Sequence, residues 1–176
     1  MVQLIADEAG GSLQASRQRA ELEESANTDP LTGSLNRRAW DSALEVLTDL
    51  AAISGDPLTV AVLDLDHFKA YKDRHGHVAG DAALTEFAAG ARRCLRRDDV
   101  FARWGGEEFL VALPRCGTAQ ATGILERIRA GMPADLTCSI GHTQWVPGEG
   151  LTACISRADD ALYAAKTAGR DRVSSR

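Results

Sequence analysis

Residues 58–69 read LTVAVLDLDHFK, and the architecture of the chain can be built up from this stretch. Its first eight residues are nearly continuous in apolar and β-branched side chains, which is typical of a central strand covered on both faces. Asp64 and Asp66 end the stretch, and the alternation of a strand places them on the same face. Two carboxylates there cost desolvation energy unless something pairs them, although acids in a solvated turn are also common at strand ends.

Amphipathic helices are predicted before and after this strand. Apolar residues between Ala39 and Ala51 recur at the i, i+3 and i+4 spacing of a helix, and Asn36 precedes them as the predicted N-cap. After the strand, Asp81 is predicted to cap a second helix that continues to Leu95. The strand is therefore preceded and followed by helices along the chain.

A hairpin, a helix and a further strand complete the pattern. Gly105-Gly106 stands between DVFARW and EEFLVAL, and such a pair can form the positive-φ turn of a two-residue hairpin. A helical stretch over 118–130 precedes the strand-like run LTCSIGHTQW, and a last helix over 152–168 is closed by Gly169. From residue 58 onward the order is strand, helix, hairpin, helix, strand. This is the βαββαβ arrangement of a ferredoxin-like α+β fold with helices packed on one side.

Composition excludes several classes of protein. The chain has 176 residues, 44% of them hydrophobic, which fits one globular domain with an extension. The net charge of −5 argues against a general nucleic-acid binder. No apolar run approaches the roughly 18 residues of a membrane span, and the N-terminus lacks a signal pattern, so we expect a cytoplasmic protein with no membrane segment. The four cysteines are widely spaced, which favours small buried hydrophobes over a metal site.

Acidic side chains also follow the hairpin glycines. Glu107 and Glu108 point to opposite faces of the second hairpin strand. If that strand lies beside residues 58–65, one of the two approaches Asp64, and the like charges repel each other. A divalent cation removes this repulsion, and oxygen ligands of this kind suit Mg²⁺, which also binds substrate phosphates. The glycines lack a Cβ, so a phosphate or a base can lie against the turn.

Lysine is rare in this chain, with only Lys69, Lys72 and Lys166 among 20 basic residues. Lys166 and Arg170 are four residues apart, so they share one face if the last helix continues. Complementation of the helix dipole explains such a pair equally well. Lys69 lies five residues after Asp64, where a triphosphate leaving a metal would run.

These motifs together resemble those of a known family. RWGGEEFLVAL resembles the signature of GGDEF domains, the diguanylate cyclases, in its GGEEF form. The resemblance extends over DPLTGSLNRR, DLDHFKAYKDRHGHVAGD and ADDALYAAKTAGRDRV, and it covers residues 27–173. It implies a palm-like ferredoxin core whose antiparallel sheet is flanked by helices. It also implies the condensation of two GTP molecules into cyclic di-GMP, with release of two pyrophosphates.

The resemblance implies roles for individual residues. Asp64, Glu107 and the Leu65 carbonyl would bind Mg²⁺, with Mn²⁺ as an alternative. Glu107 would also be the base that deprotonates the ribose 3′-hydroxyl, and Glu108 would assist at the metals. The implied substrate-binding residues are Lys69, Lys166 and Arg170 for the triphosphate, the backbone near His67 and Phe68, the turn at Gly105 and Gly106, and His77 and Asp81 for guanine.

Lys72 departs from the family's pattern, in which the run FKxxND has Asn at this position. Lysine offers the guanine edge donors only and adds a positive charge. Either GTP still binds through Asp81 or the site has decayed, and Lys72 could also pair with Asp73 or Asp81. A nucleotide-independent interaction domain is one possible function, and two others stay open. They are an active cyclase, and a weak or inactive module that senses cyclic di-GMP or GTP.

A second site is implied by Arg96 and Asp99, an RxxD pair five residues before GGEEF. The spacing alone is uninformative because other pairs in the chain match it. At this position the family carries its product-inhibition site, where Arg binds guanine, and Arg127 would add a contact from a second subunit.

The resemblance also implies how the chain is organised and assembled. One domain holds one GTP, so catalysis would require a homodimer. Residues 1–26 would be a stalk or linker helix and residues 27–176 the GGDEF domain, with a sensor or receiver domain upstream.

Overall fold

The computed structural model describes residues 26–133 and 135–176. The predicted stalk therefore lies outside the described residues except for its last one. Within them, the chain forms five helices and five strands. In chain order these are α1 (Arg37–Ser54), β1 (Leu58–Leu65), α2 (Phe68–His75), α3 (His77–Cys94), β2 (Val100–Gly105), β3 (Glu108–Pro114), α4 (Thr118–Ala130), β4 (Cys138–Gln144), α5 (Leu151–Thr167) and β5 (Val173–Ser175).

The strands form one sheet in the order β2-β3-β1-β4-β5. β1 is central and antiparallel to both β3 and β4, and β2 is antiparallel to β3. These four strands have the predicted ferredoxin arrangement. β5 adds a parallel edge to β4, so the whole sheet is mixed. Every residue of β1 except Asp64 is buried, which confirms that this strand is covered on both faces.

Helices cover both faces of the sheet. The crossover helices α3 and α4 pack with α2 on one face, around Leu63, Phe87 and Phe109. The rings of Phe87 and Phe109 meet edge to face, with their centroids 5.0 Å apart. α1 and α5 cover the other face through Trp40 and Leu162. The one-sided prediction is correct for the crossover helices and wrong for the whole domain, because β1 is apolar on both faces.

The helix α5 lies very close to β4. A Cβ on Gly141 of β4 would clash with the backbone nitrogen of Leu162 and the backbone oxygen of Ala158. Two backbones can approach this closely only where the side chain is a hydrogen atom. Gly141 therefore sets the distance between this helix and the sheet.

Two local predictions are correct and two are wrong. Asn36 caps α1 by accepting a hydrogen bond from Ala39 N at 3.1 Å, as predicted, and Gly169 follows the last helix with a φ of 113°. Asp81 does not cap α3, because Gly76 begins that helix one turn earlier. The hairpin turn is Gly106-Glu107 rather than Gly105-Gly106, because an irregularity after Arg103 shifts the register so that Gly105 pairs with Glu108.

Two further predictions concern the class of protein. No helix among the described residues is long and apolar enough to cross a membrane. The four cysteines are free thiols. Cys116, Cys138 and Cys154 are buried, as expected of small hydrophobes, and Cys94 is half-buried.

Candidate active site at the β1–β3 edge

The structure brings three acidic side chains together where β1 and the hairpin meet. Asp64 lies directly opposite Glu108 in the antiparallel register of β1 and β3. Opposed residues in such a pair have Cβ atoms about 4.5–5.5 Å apart. Glu107 stands in the hairpin turn, and its carbonyl accepts a hydrogen bond from Leu65 N at 3.3 Å. The residues predicted to share a metal therefore come from the end of β1 and from the hairpin turn beside it.

The charges of these acids oppose one another. Burial raises the pKa of Asp64 above its ordinary value, and the carboxylates of Glu107 and Asp66 raise it further against the effect of Lys166. Burial likewise raises the pKa of Glu108, and Asp64 is the next cause. A cation placed between these acids would relieve the repulsion.

Lys166 supplies one positive charge at this place. Its Nζ lies 2.9 Å from Asp64 Oδ1, and the two side chains are 32% and 15% exposed. The last helix thus carries a predicted phosphate ligand directly to a predicted metal ligand. The ammonium also demonstrates that the Asp64 carboxylate is placed to receive a cation.

The donor set suits one type of metal site. Within the described residues, no group of three or more His, Cys, Asp and Glu side chains is arranged to hold an ion. Asp64, Glu107 and the Leu65 carbonyl offer two carboxylates and one backbone oxygen. This set fits Mg²⁺, which commonly completes its coordination with waters and substrate phosphates. It does not fit an all-protein cage.

Asp66 has a different environment from Asp64, although the two lie two residues apart. It is 3% exposed. Its carboxylate accepts hydrogen bonds from the hydroxyls of Thr137 and Ser139, both at 2.7 Å, and from Asp171 N at 3.2 Å. The groups that pair with this acid are therefore two hydroxyls and a backbone amide. The polar residues in LTCSIG were the signal for them.

The residues expected to hold guanine lie on α3. His77 and Asp81 are four residues apart, share one face of this helix and are exposed. Lys72 crosses the same region, since a Cβ on Gly80 would lie 2.6 Å from Lys72 Cγ. The Lys72 ammonium lies 4.9 Å from the centroid of the Phe68 ring. Within the described residues, Lys72 therefore makes a cation–π contact rather than the suggested pair with Asp73 or Asp81.

The start of α2 has the geometry of a phosphate site. His67 is its N-cap residue, with a φ of 55°, and is exposed, as is Lys69. The first N–H groups of a helix have no intrahelical acceptor and favour anions. The Phe68 side chain is buried in the core, so only its backbone can take part. These residues follow Asp64 directly along the chain.

The hairpin turn is held in place by a residue that sequence reasoning missed. Arg103 donates from Nε and Nη2 to the carbonyl oxygen of Gly106, at 3.0 and 2.7 Å, and from Nη1 to the Asp29 carboxylate at 3.2 Å. Although burial opposes it, hydrogen bonds from Thr32 and Arg103 hold the pKa of Asp29 below its ordinary value. The space beside the Cα atoms of Gly105 and Gly106 is open, so a ligand can approach there.

Arg96 and Asp99 form a turn after α3. Arg96 N donates to Asp99 Oδ2 at 2.7 Å, and Asp99 N donates to the Arg96 carbonyl at 3.2 Å. Both line a cleft of about 530 Å³ together with Arg92 and Leu35. Burial raises the pKa of Asp99, and Asp98 adds to the rise while Arg96 opposes it.

Arg127 reaches this end of α3 from the neighbouring helix. Its Nη2 donates to the Cys94 carbonyl at 3.4 Å, and its Nη1 donates to the Gly123 carbonyl at 3.2 Å. The structure thus places the Arg127 guanidinium against Cys94, which lies two residues before Arg96 in the same subunit.

Comparisons with known proteins agree with this geometry. Residues 26–172 match the model of the family described as diguanylate cyclase, GGDEF domain. The chain is 44% identical over 160 residues to the diguanylate cyclase DgcP of Pseudomonas aeruginosa, covering 85% of this chain and 24% of DgcP. It is 40% identical over 164 residues to the response regulator PleD of Caulobacter vibrioides, covering 85% of this chain and 36% of PleD. The chain thus spans well under half the length of both relatives.

A solved structure matches over almost the whole chain. It contains the coiled coil and GGDEF domain of DgcB from Caulobacter crescentus in complex with c-di-GMP. The TM-score is 0.86 at 33% sequence identity, and the match covers 98% of this chain and 99% of that one. The predicted ferredoxin-like palm is therefore the observed fold.

Proposed function

This chain belongs to the diguanylate cyclase GGDEF domain family, and from that membership we propose that it condenses two GTP molecules into cyclic di-GMP. The observation that carries the proposal is the placement of Asp64 opposite Glu108 and against Lys166, with Glu107 in the adjoining turn. Each of two steps forms a bond between a ribose 3′-oxygen and an α-phosphorus. Each breaks the bond to pyrophosphate, so two pyrophosphates leave for every cyclic product.

The acids of the site hold the metal and take the proton. Asp64, Glu107 and the Leu65 carbonyl are the proposed ligands of Mg²⁺ or Mn²⁺. When bound, the ion neutralises charge on the phosphates and lowers the pKa of the attacking hydroxyl. Glu107 accepts the proton of the 3′-hydroxyl, because it stands in the exposed turn where the sugar approaches. Glu108 adds negative charge at the metal side.

The cations of the site bind the triphosphate. Lys69, the first N–H groups of α2, Lys166 and Arg170 all lie near the end of β1. Lys166 would bind phosphate oxygens of the substrate in place of the Asp64 carboxylate, which is one of the proposed metal ligands. These groups would together place positive charge along the triphosphate, from the α-phosphate to the leaving pyrophosphate.

Guanine binds at α3 in this proposal. The Asp81 carboxylate can accept hydrogen bonds from N1–H and N2–H of guanine, which adenine does not offer. The cation–π contact of Lys72 with Phe68 supports this role, because it leaves Asp81 without an ammonium partner among the described residues. We therefore favour an active cyclase over a decayed site.

Assembly and regulation complete the proposal. Two copies face each other so that each 3′-hydroxyl meets the other α-phosphate. Cyclic di-GMP inhibits from the Arg96–Asp99 cleft in this proposal. The complex of the related DgcB domain with c-di-GMP supports binding of the product, and the cleft lined by Arg96 and Asp99 is the place proposed for it. Residues 27–176 form the cyclase domain in this proposal, and the full-length protein carries a sensor or receiver domain upstream.

A turnover assay tests the function. We incubate the chain with GTP and Mg²⁺ and quantify cyclic di-GMP by chromatography and pyrophosphate by a coupled reaction. We expect a 1:2 ratio of the two products, loss of both on chelation of the metal, and loss in Asp64→Asn. Asp56→Asn, an exposed acid outside the site, is the matched control and keeps full activity. If the wild-type chain forms no product even at high protein concentration, the proposal is contradicted.

Lys72 favours one alternative function, a binding module without turnover. Titration calorimetry with cyclic di-GMP distinguishes the two, with Arg96→Ala as the variant that removes the binding cleft. Binding without turnover in the wild-type chain, lost in Arg96→Ala, supports the module. A large gain of turnover in Lys72→Asn shows that the lysine weakens guanine binding.

A further inference from the structure

The chain leaves α5 through an unusual turn. Gly169, Arg170 and Asp171 have φ values of 113°, 62° and 45°, so two residues with side chains follow a glycine in the left-handed region. Such residues are strained there and persist only where the surroundings hold them. The middle residue of this turn is the proposed phosphate ligand Arg170.

Asp171 is held from the side of the sheet. Its backbone N–H donates to Asp66 Oδ2 at 3.2 Å. Asp66 is itself immobile, because it is 3% exposed and bound by two hydroxyls from the start of β4. A buried carboxylate that accepts three hydrogen bonds thus fixes the last peptide of the turn.

Asp171 is also held from the side of α4. Arg129 Nη1 lies 2.6 Å from Asp171 Oδ1, and Arg129 Nε lies 2.7 Å from Glu126 Oε2. The side chains of Arg129 and Asp171 are 25% and 48% exposed, so their interaction is less screened than a fully exposed ion pair. Backbone and side chain of one residue are therefore bound by two elements.

The result of this double hold is the position of Arg170. Its Nε lies 4.0 Å from Asp66 Oδ1, and its side chain is 44% exposed. The guanidinium is thereby kept beside Asp66, directly after the end of β1, while nearly half of the Arg170 side chain is exposed. A turn that relaxed to ordinary dihedral angles would carry it elsewhere.

We propose that Arg129 and Asp66, acting through Asp171, are positioning residues that fix Arg170 for the triphosphate of the substrate. The inference rests on the proposed function, because it assumes that Arg170 binds phosphate. It extends the site to α4, a helix that supplies none of the proposed catalytic or substrate-binding residues. Restricting a long arginine side chain before binding reduces the entropy lost on binding.

Nucleotide affinity tests the proposal. We measure the dissociation constants of the α,β-methylene analogue of GTP with Mg²⁺, and of guanosine, by calorimetry. We expect Arg129→Ala to weaken binding of the analogue about tenfold, the size of one lost charge-assisted contact, and to leave guanosine binding unchanged. Arg115→Ala removes an ion pair of the same length, 2.6 Å, at another edge and is the matched control. It leaves both constants unchanged.

A double-mutant cycle separates positioning from general stability. In an Arg170→Ala background, Arg129→Ala produces no further loss, because the side chain that it positions is gone. Asp171→Asn is a second variant, since asparagine tolerates the left-handed region and loses only the ion pair with Arg129. We expect it to reproduce the effect of Arg129→Ala at an unchanged unfolding temperature.

The outcomes distinguish this inference from the proposed function. If Arg170→Ala weakens binding and Arg129→Ala and Asp171→Asn do not, the positioning role is wrong and the cyclase proposal stands. If Arg129→Ala weakens binding equally with and without Arg170, its effect is structural and the role is again wrong. If the wild-type chain does not bind the analogue, the proposed function fails and this inference fails with it.

Discussion

Asp64 and Asp66 show how two identical side chains acquire different roles two residues apart. Asp64 lies near the end of the central strand β1 and faces Glu108 and the Lys166 ammonium. Asp66 is enclosed by hydroxyls and a backbone amide. The first arrangement leaves acid oxygens directed at a ligand, whereas the second uses all of them within the protein.

Replacement of Asp64 separates function from stability. Because the folded protein holds the pKa of Asp64 above its unfolded value, stability falls as pH rises through the interval between the two values. Asp64→Asn removes a proposed metal ligand and loses at least about a hundredfold in turnover, the scale of one removed electrostatic contact in catalysis. At pH 7 its unfolding temperature without nucleotide is equal to or above that of the wild type.

Asp66→Asn is the comparison for that experiment. An amide placed against three donors leaves buried groups unpaired, so the variant loses about 2–4 kcal/mol of unfolding free energy. Urea denaturation measures both variants. A lower stability of Asp64→Asn than of the wild type would mean that its pair with Lys166 outweighs the cost of burial.

At the scale of elements, the hairpin links the start of the domain to the acids. Arg103 holds the carbonyl of Gly106 on one side and the Asp29 carboxylate on the other. The turn that carries Glu107 is therefore tied to the segment by which the chain enters the described fold.

Removal of this link should reduce both turnover and stability. Arg103→Ala leaves the Gly106 carbonyl exposed and the turn free to move. We therefore expect kcat/KM to fall about tenfold and the free energy of unfolding to fall by about 1–2 kcal/mol. Arg93→Ala, an exposed arginine on α3, is the control and changes neither. An Arg103→Ala chain with wild-type kcat/KM would contradict a positioning role.

The sequence predicted these elements better than their junctions. Periodicity located β1, the hairpin strands, β4 and the longer helices, because burial imposes it on long segments. It did not predict the short elements α2 and β5. It misplaced the turn at Gly105 by one residue, since a register shift depends on the pairing of two strands. It made Asp81 an N-cap, although Gly76 can end one helix and begin the next. Arg103 escaped notice because its partners lie 74 residues away and at a carbonyl.

At the scale of the whole molecule, helices cover both faces of the sheet, and one histidine among the described residues is buried between them. His142 of β4 is fully buried, and its Nε2 lies 3.1 Å from the Thr122 hydroxyl. Its Nδ1 has no hydrogen-bond partner among the described residues. Burial lowers the pKa of His142, so the folded state resists protonation of the ring.

This ring makes stability depend on pH. The unfolded chain binds the proton more readily, so the contribution of His142 is complete above its ordinary pKa and is lost as pH falls toward the folded value. We expect the unfolding temperature to fall between pH 7 and pH 5 more steeply in the wild type than in His142→Gln. Parallel curves for the two proteins would contradict this assignment.

Gly141 affects both the packing of the domain and the proposed site. Because it has no side chain, α5 lies close to β4, and this brings Lys166 of α5 to Asp64. Any substituent there would lift α5 from the sheet and withdraw Lys166, one turn beyond Leu162, from Asp64. Gly141→Ala should therefore lower the free energy of unfolding by about 3 kcal/mol, the upper end of the usual cost of overpacking, and weaken GTP binding, although Gly141 lies in the core and outside the proposed site. The position of Lys166 in the proposed active site thus depends on the absence of a side chain at Gly141, deep in the core.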